Sequence, residues 1–208
     1  MFKLWSRLIG RTPRHSSTYP FEASIRDPRT GLFTNRHFDE RLAAEIELAE
    51  VYEEPFTLLA IGVDRIDAFR ELHGEPRATQ TIALVADALR GHLRLADVPT
   101  ADGHDFLVLM PETSTDDAAL TFRRLQHLVA DLGASQPDDC FSQFTISGGV
   151  FEYDGSRPPE IVRAAILALA VARSLGGNTF HRSTAERVNW QPPAFPLRID
   201  QPVQLRRA

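Results

Sequence analysis

The stretch Thr100-Ala101-Asp102-Gly103-His104-Asp105-Phe106, running on into Leu-Val-Leu-Met-Pro-Glu, constrains this chain more than any other. It predicts a β-hairpin whose turn carries one glycine, one histidine and two acids, with Phe106–Met110 as the second strand. A hairpin is antiparallel. Because strands and helices alternate elsewhere in the chain, the sheet it joins is expected to be mixed.

Around the hairpin, helix and strand patterns alternate. Phe38, Leu42, Ile46 and Ala49 share one face of a helix over about 35–52, and the glutamates lie largely elsewhere. Pro55 closes it, and Phe56–Val63 is apolar enough for a buried strand. A short helix to His73 follows, broken by Gly74 and Pro76, and Pro76 suits the first turn of the next. That next helix turns Ile82, Val85, Ala86, Leu89 and Leu93 inward. Beyond the hairpin, a helix from Asp116 carries Leu125, Leu128, Val129 and Leu132 and stops at Gly133. Phe144–Val150 reads as a strand, and Pro159 opens a helix with Ile161, Val162, Ala165, Ile166 and Leu169. Gly176-Gly177-Asn178 ends it, ahead of a short strand at 179–181. The expectation is an α/β domain, a mixed central sheet flanked by helices.

Bulk properties exclude several classes. With 208 residues, 43% hydrophobic and 25% charged, the chain is sized for one domain with short extensions. The lone cysteine, Cys140, allows no internal disulfide and fits a reducing compartment. No apolar run approaches the roughly 18 residues of a membrane span, so the expected location is cytoplasmic. Residues 1–20 hold Lys3, Arg7, Arg11 and Arg14 and no acid, and the proline-rich segment 183–208 is also basic. The middle is therefore more acidic than the overall net charge of −5, which argues against a nucleic-acid partner. Lys3 is the only lysine, so no lysine of the globular part can meet a phosphate.

Several landmarks together resemble the GGDEF, or diguanylate cyclase-like, family. Asp27-Pro-Arg-Thr-Gly-Leu-Phe33 is similar to its opening D-x-L-T-G-L-x-N turn, and Arg36-His-Phe38 to the R-x-F element. Phe144-Thr-Ile-Ser-Gly-Gly-Val150 resembles its T-x-S-x-G-V strand, and Ala170–Asn178 its closing A-K-x-x-G-R-N. The resemblance covers about 25–182, between a basic amphipathic arm at 1–24 and the tail at 183–208. It implies the nucleotidyl-cyclase-like palm, with Asp102, Gly103, His104, Asp105 and Phe106 at the signature turn.

Measured against that family, the chemical positions are altered. A cyclase deprotonates a ribose 3′-hydroxyl and stabilises charge on the α-phosphate, with Mg²⁺ held by hard oxygen ligands. Gly62 stands where the resemblance places the first acidic ligand, leaving Asp64, two residues on, as a possible metal-binding remnant. His104 stands at a metal-binding carboxylate, and imidazole suits a hard cation poorly. Arg70 and Thr79 occupy the guanine-reading positions, while Arg173 and Gly177 occupy those of a phosphate-binding Lys and Arg. The expectation is no catalytic residue set, no enzyme, and no cofactor; Mg²⁺ enters only under the alternative of a weakly active cyclase making cyclic di-GMP from GTP.

Two binding features remain. Arg94-x-x-Asp97 sits where many members carry an inhibitory R-x-x-D site, and could grip cyclic di-GMP or form an i,i+3 ion pair at a helix end. Four residues separate Asp97 from Asp102 where the family has five. His104 with Asp102 and Asp105 reads as an exposed turn rather than a transition-metal site. Phe2, Trp5 and Ile9 share a face with Leu8, flanked by Lys3, Arg7 and Arg11; this segment could meet an anionic membrane, a protein partner or its own domain. The functional expectation is a catalytically inactive module in bacterial cyclic di-GMP signalling, binding the dinucleotide or a protein. A scaffold that binds no nucleotide is the further alternative.

Overall fold

The computed structural model describes residues 25–52, 54–136 and 144–183. The elements run α1 (Asn35–Tyr52), β1 (Phe56–Val63), α2 (Ile66–His73), α3 (Glu75–His92), β2 (Val98–Asp102), β3 (Asp105–Pro111), α4 (Thr115–Ala134), β4 (Ile146–Glu152), α5 (Pro158–Ser174) and β5 (Phe180–Arg182). Strand order is β2-β3-β1-β4-β5. All pairings are antiparallel except β4 with β5, so the sheet is mixed as expected.

Every residue of β1 is buried, because helices cover both faces of the sheet. Side chains alternate between faces, and this splits the core in two. Leu59, Ile61 and Val63 point with Phe106, Val108 and Met110 toward Val85 and Leu89 of α3 and Phe122 and Leu125 of α4. Leu58 and Ala60 point with Leu107 and Leu109 toward Phe38 and Leu42 of α1 and Ile161, Ala165 and Leu169 of α5. Gly62 and Asp105, paired across β1 and β3, continue this second set. At Gly149 a Cβ would overlap the Leu169 backbone, so α5 lies unusually close to the sheet.

Local signals account for most boundaries. Pro76 lies in the first turn of α3. Helix α4 begins one residue before Asp116, because the Ser114 hydroxyl caps it by accepting from Asp117 N–H. Helix α5 begins at Pro158, where the Glu160 carboxylate reaches back to accept from the Arg157 backbone N–H at 3.3 Å and from its guanidinium at 2.8 Å. Two expectations need correction. Strand β4 is displaced two residues from 144–150, and β5 one residue from 179–181. Apolarity marks burial, whereas the strand limits follow the hydrogen-bond register, which pairs Val63 with Ile146 and Glu152 with Thr57. Just past β5, the Ser183 N–H donates to Val150 C=O at 2.8 Å.

The expected arm, with Phe2, Trp5 and Ile9, and the tail from 184 lie outside the described residues. Among the described residues, no helix is long and apolar enough to cross a membrane.

Candidate functional site

The β2–β3 hairpin turns on two residues, Gly103 and His104, with Asp102 and Asp105 as the closing pair. Gly103 has φ 65° and His104 is not in the left-handed region, the pattern of a type II′ hairpin turn with glycine first. The two acids are thus strand ends rather than turn residues. Phe106, fully buried, anchors the hairpin in the core shared with α3 and α4.

Asp105 is directed at α5. Arg173 Nη2 donates to Asp105 Oδ1 at 2.5 Å and Nη1 to Oδ2 at 3.1 Å, a fork on both carboxylate oxygens. Nη2 also donates to Val63 C=O at 3.2 Å. The guanidinium fills the space beside Gly62, where a Cβ would overlap Arg173 Nη2 and press on Asp105. The pair is about one-third exposed at each side chain. Arg173 was recognisable as a possible phosphate contact; its grip on Asp105 was not, since only the register places Gly62 opposite Asp105.

Asp64 is equally committed. Its Oδ2 accepts from Thr145 Oγ1 and from Asn178 N–H, each at 2.7 Å, and its Oδ1 from Ser147 Oγ at 2.7 Å. Its own N–H donates to Thr145 C=O at 2.8 Å. The carboxylate thus ties the end of β1 to β4 and to the turn after α5. Sequence reasoning missed Thr145 and Ser147 as its partners.

At the positions the resemblance links to base reading, Arg70 Nη1 donates to Asp67 Oδ1 at 2.5 Å and Nε pairs with Glu75 at 2.8 Å. Thr79 Oγ1 reaches the other oxygen of Glu75 at 3.5 Å. Arg70 and Thr79 are therefore linked through Glu75. His73 is half-buried and packs against Phe69, the ring centroids 4.6 Å apart and the planes tilted by 45°. A cleft of about 480 Å³ includes Asp64, Phe69, Leu72 and Thr145 and does not reach Arg70, Thr79 or Asp105.

Arg94 and Asp97 lie in the loop between α3 and β2. The Asp97 side chain is 1% exposed and that of Arg94 is 52% exposed. Asp97 Oδ2 accepts from the Arg94 backbone N–H at 2.8 Å, and Oδ1 from Arg94 Nη2 at 3.0 Å. The same Nη2 donates to Pro111 C=O at 3.2 Å and to Thr113 Oγ1. The motif closes on itself and holds its loop to the far end of β3.

Among the described residues, no group of three His, Cys, Asp or Glu is arranged to hold a metal ion. His104, Asp102 and Asp105 sit together at the hairpin without converging on one point: Asp105 is turned onto Arg173, and His104 is half-buried at the turn.

A five-stranded mixed sheet, helices on both faces and a β2–β3 hairpin set against the end of β1 define a palm of the nucleotidyl-cyclase type. The chain belongs to the diguanylate cyclase, GGDEF domain family, which it matches over residues 24–179. It is 25% identical over 142 residues to the diguanylate cyclase DgcP of Pseudomonas aeruginosa, covering 68% of this chain and 21% of that protein. It is 24% identical over 169 residues to the response regulator PleD of Caulobacter vibrioides, covering 79% of this chain and 37% of the relative. The chain thus matches less than half the length of either relative. Among solved structures, it superposes on the GGDEF domain of DgcB from Caulobacter crescentus, solved with c-di-GMP, with a TM-score of 0.72 at 19% identity; the match covers 79% of this chain and 99% of that one. The diguanylate cyclase SiaD of Pseudomonas aeruginosa, solved with its activator SiaC, gives a TM-score of 0.71 at 30% identity, over 77% of this chain and 62% of SiaD.

Proposed function

We propose that this chain is a GGDEF module without cyclase chemistry, acting in bacterial cyclic di-GMP signalling through contacts with protein partners. The carrying observation is the Arg173 fork on Asp105 beside Gly62. A divalent ion at this place needs hard, anionic oxygen ligands. Gly62 supplies none, both oxygens of Asp105 are engaged, and the nearest fixed positive charge is already a guanidinium. The residues present do not fit Mg²⁺.

Substrate reading is affected in the same way. Guanine recognition needs unengaged donors and acceptors, and the Arg70–Glu75–Thr79 linkage uses them internally. The Arg94–Asp97 pair supports a structural role over a ligand site, because a dinucleotide would have to share a guanidinium already bonded to Asp97, Pro111 and Thr113. A protein-interaction role requires none of these groups to be free. SiaD, a relative of the same fold, is solved with a protein activator.

Calorimetric titration with cyclic di-GMP, alongside incubation with GTP and Mg²⁺, tests this reading. The expected result is no saturable heat and no product. Mg²⁺-dependent formation of cyclic di-GMP would overturn the loss of chemistry. Micromolar binding of cyclic di-GMP that disappears in Arg94→Ala would replace the interaction module with a receptor.

A further inference from the structure

Helix α1 has two apolar stripes, and the described fold uses one. Phe38, Leu42 and Ala49 are buried against the sheet and α5. Ala44, Leu48, Val51 and Tyr52, at helical spacing i, i+4, i+7 and i+8, form a second stripe facing solvent. Leu48, Val51 and Tyr52 are 48%, 70% and 64% exposed. Isolated exposed apolar residues need no explanation, but an aligned set on one helix face marks a contact surface.

The rim of this stripe is acidic. Residues 35–54 hold seven acids against Arg36 and Arg41, and Arg36 is engaged with Glu40 at 2.9 Å. Exposed Glu40, Glu47 and Glu54 surround the stripe. Glu45, tucked beside it, has its carboxyl pushed up by burial, with Arg41 opposing and Glu112 and Glu54 adding to the shift. This composition selects the occupant. A second copy of α1 would bring acid against acid, which disfavours self-association. The complement is a short segment with apolar residues at helical spacing and a basic rim.

The chain itself carries such a segment. Phe2, Trp5, Leu8 and Ile9 share a helical face, Lys3, Arg7 and Arg11 flank it, and residues 1–20 contain no acid. We infer that residues 2–11 dock on the solvent-facing stripe of α1, with Trp5 against Leu48 and Val51 and the basic side chains among the glutamates. The connection permits it. Ile25 enters the domain at the start of α1, its C=O accepting from Thr34 N–H at 2.9 Å. Residues 12–24 can span about 40 Å when extended. Asn35 to Leu48 along the helix is only about 20 Å. Covalent linkage raises the effective concentration enough for a short amphipathic segment, marginal as an isolated helix, to bind.

The test uses the full chain with Trp190→Phe, which leaves Trp5 as the only tryptophan. Docking predicts blue-shifted Trp5 emission and several-fold weaker acrylamide quenching, independent of protein concentration. Adding Leu48→Glu and Val51→Glu should restore full quenching with the circular dichroism unchanged, because both positions are exposed. Lys3→Glu with Arg7→Glu, which reverses the charge of the segment and leaves the sequence of α1 unchanged, should do the same. Trp5 that is quenched like free tryptophan in the Trp190→Phe chain overturns the inference. So does protection that grows with protein concentration, which would indicate a second copy, or protection indifferent to the α1 variants. Protection that appears only with vesicles of anionic lipid would make the segment a membrane contact instead.

Discussion

The guanidinium of Arg173 grips both carboxylate oxygens of Asp105 across the space that a side chain at position 62 would occupy. The close approach of α5 over Gly149 brings Arg173 within reach, and the pairing of Gly62 with Asp105 supplies the gap. Arg173→Ala should therefore leave Asp105 and the Val63 carbonyl without this partner. The pair is partly exposed, so the expected cost is modest, about 1–2 kcal/mol in chemical denaturation. An unchanged midpoint would show that the fork contributes nothing to holding the hairpin.

A double substitution makes a sharper experiment. Gly62→Asp combined with Arg173→Ala places two carboxylates side by side with no internal cation between them. Their repulsion should lower stability in the absence of metal, and Mg²⁺ should restore it by binding the native state preferentially. The melting temperature of the double variant should rise with millimolar Mg²⁺, and that of the parent should not. Equal responses to Mg²⁺ would remove the argument that Arg173 stands in place of an ion.

The buried carboxylate of Asp97 predicts where stability resides in the Arg94 motif. Asp97→Ala should cost about 3 kcal/mol, because it strips the Arg94 backbone N–H and guanidinium of their acceptor within a packed loop. Arg94→Ala should destabilise as well, leaving an almost wholly buried acid with only a backbone donor. Equilibrium unfolding without nucleotide reads both. A pair that served ligand binding alone would leave the unfolding midpoints unchanged.

Much of this architecture is legible in the sequence because burial periodicity is a local signal. The limits of α1 and β1 match the expected 35–52 and 56–63 closely, set by Pro55 and by an unbroken apolar run. The hairpin is legible from its glycine, though not which residues form the turn. The two-residue shift of β4 shows the limit, since Phe144 is buried without being in the ladder. At the site, the positions of interest can be named from the resemblance, but their partners cannot. Asp105 meets Arg173 over 68 residues of chain and Asp64 meets Ser147 over 83, contacts that only strand register and helix placement create. Arg94 and Asp97 lie close enough for the ion-pair reading to be drawn from sequence, whereas Thr113 as a third member is not.

Glu45 gives the last prediction, and it depends on pH. Burial raises its carboxyl above the usual 4.5, partly offset by Arg41 and reinforced by Glu112 and Glu54. A folded-state value above the unfolded one means the native state favours the protonated form. The contribution is then fully present below the unfolded value and is lost as pH rises through the folded one. At neutral pH the charged carboxylate burdens the fold, so Glu45→Gln should raise the melting temperature there. Under acid conditions that protonate Glu45 in both states, the advantage should vanish. Melting curves of the two proteins from pH 3 to pH 8 measure the gap directly, and a gap that widens toward low pH would reverse the assigned sign.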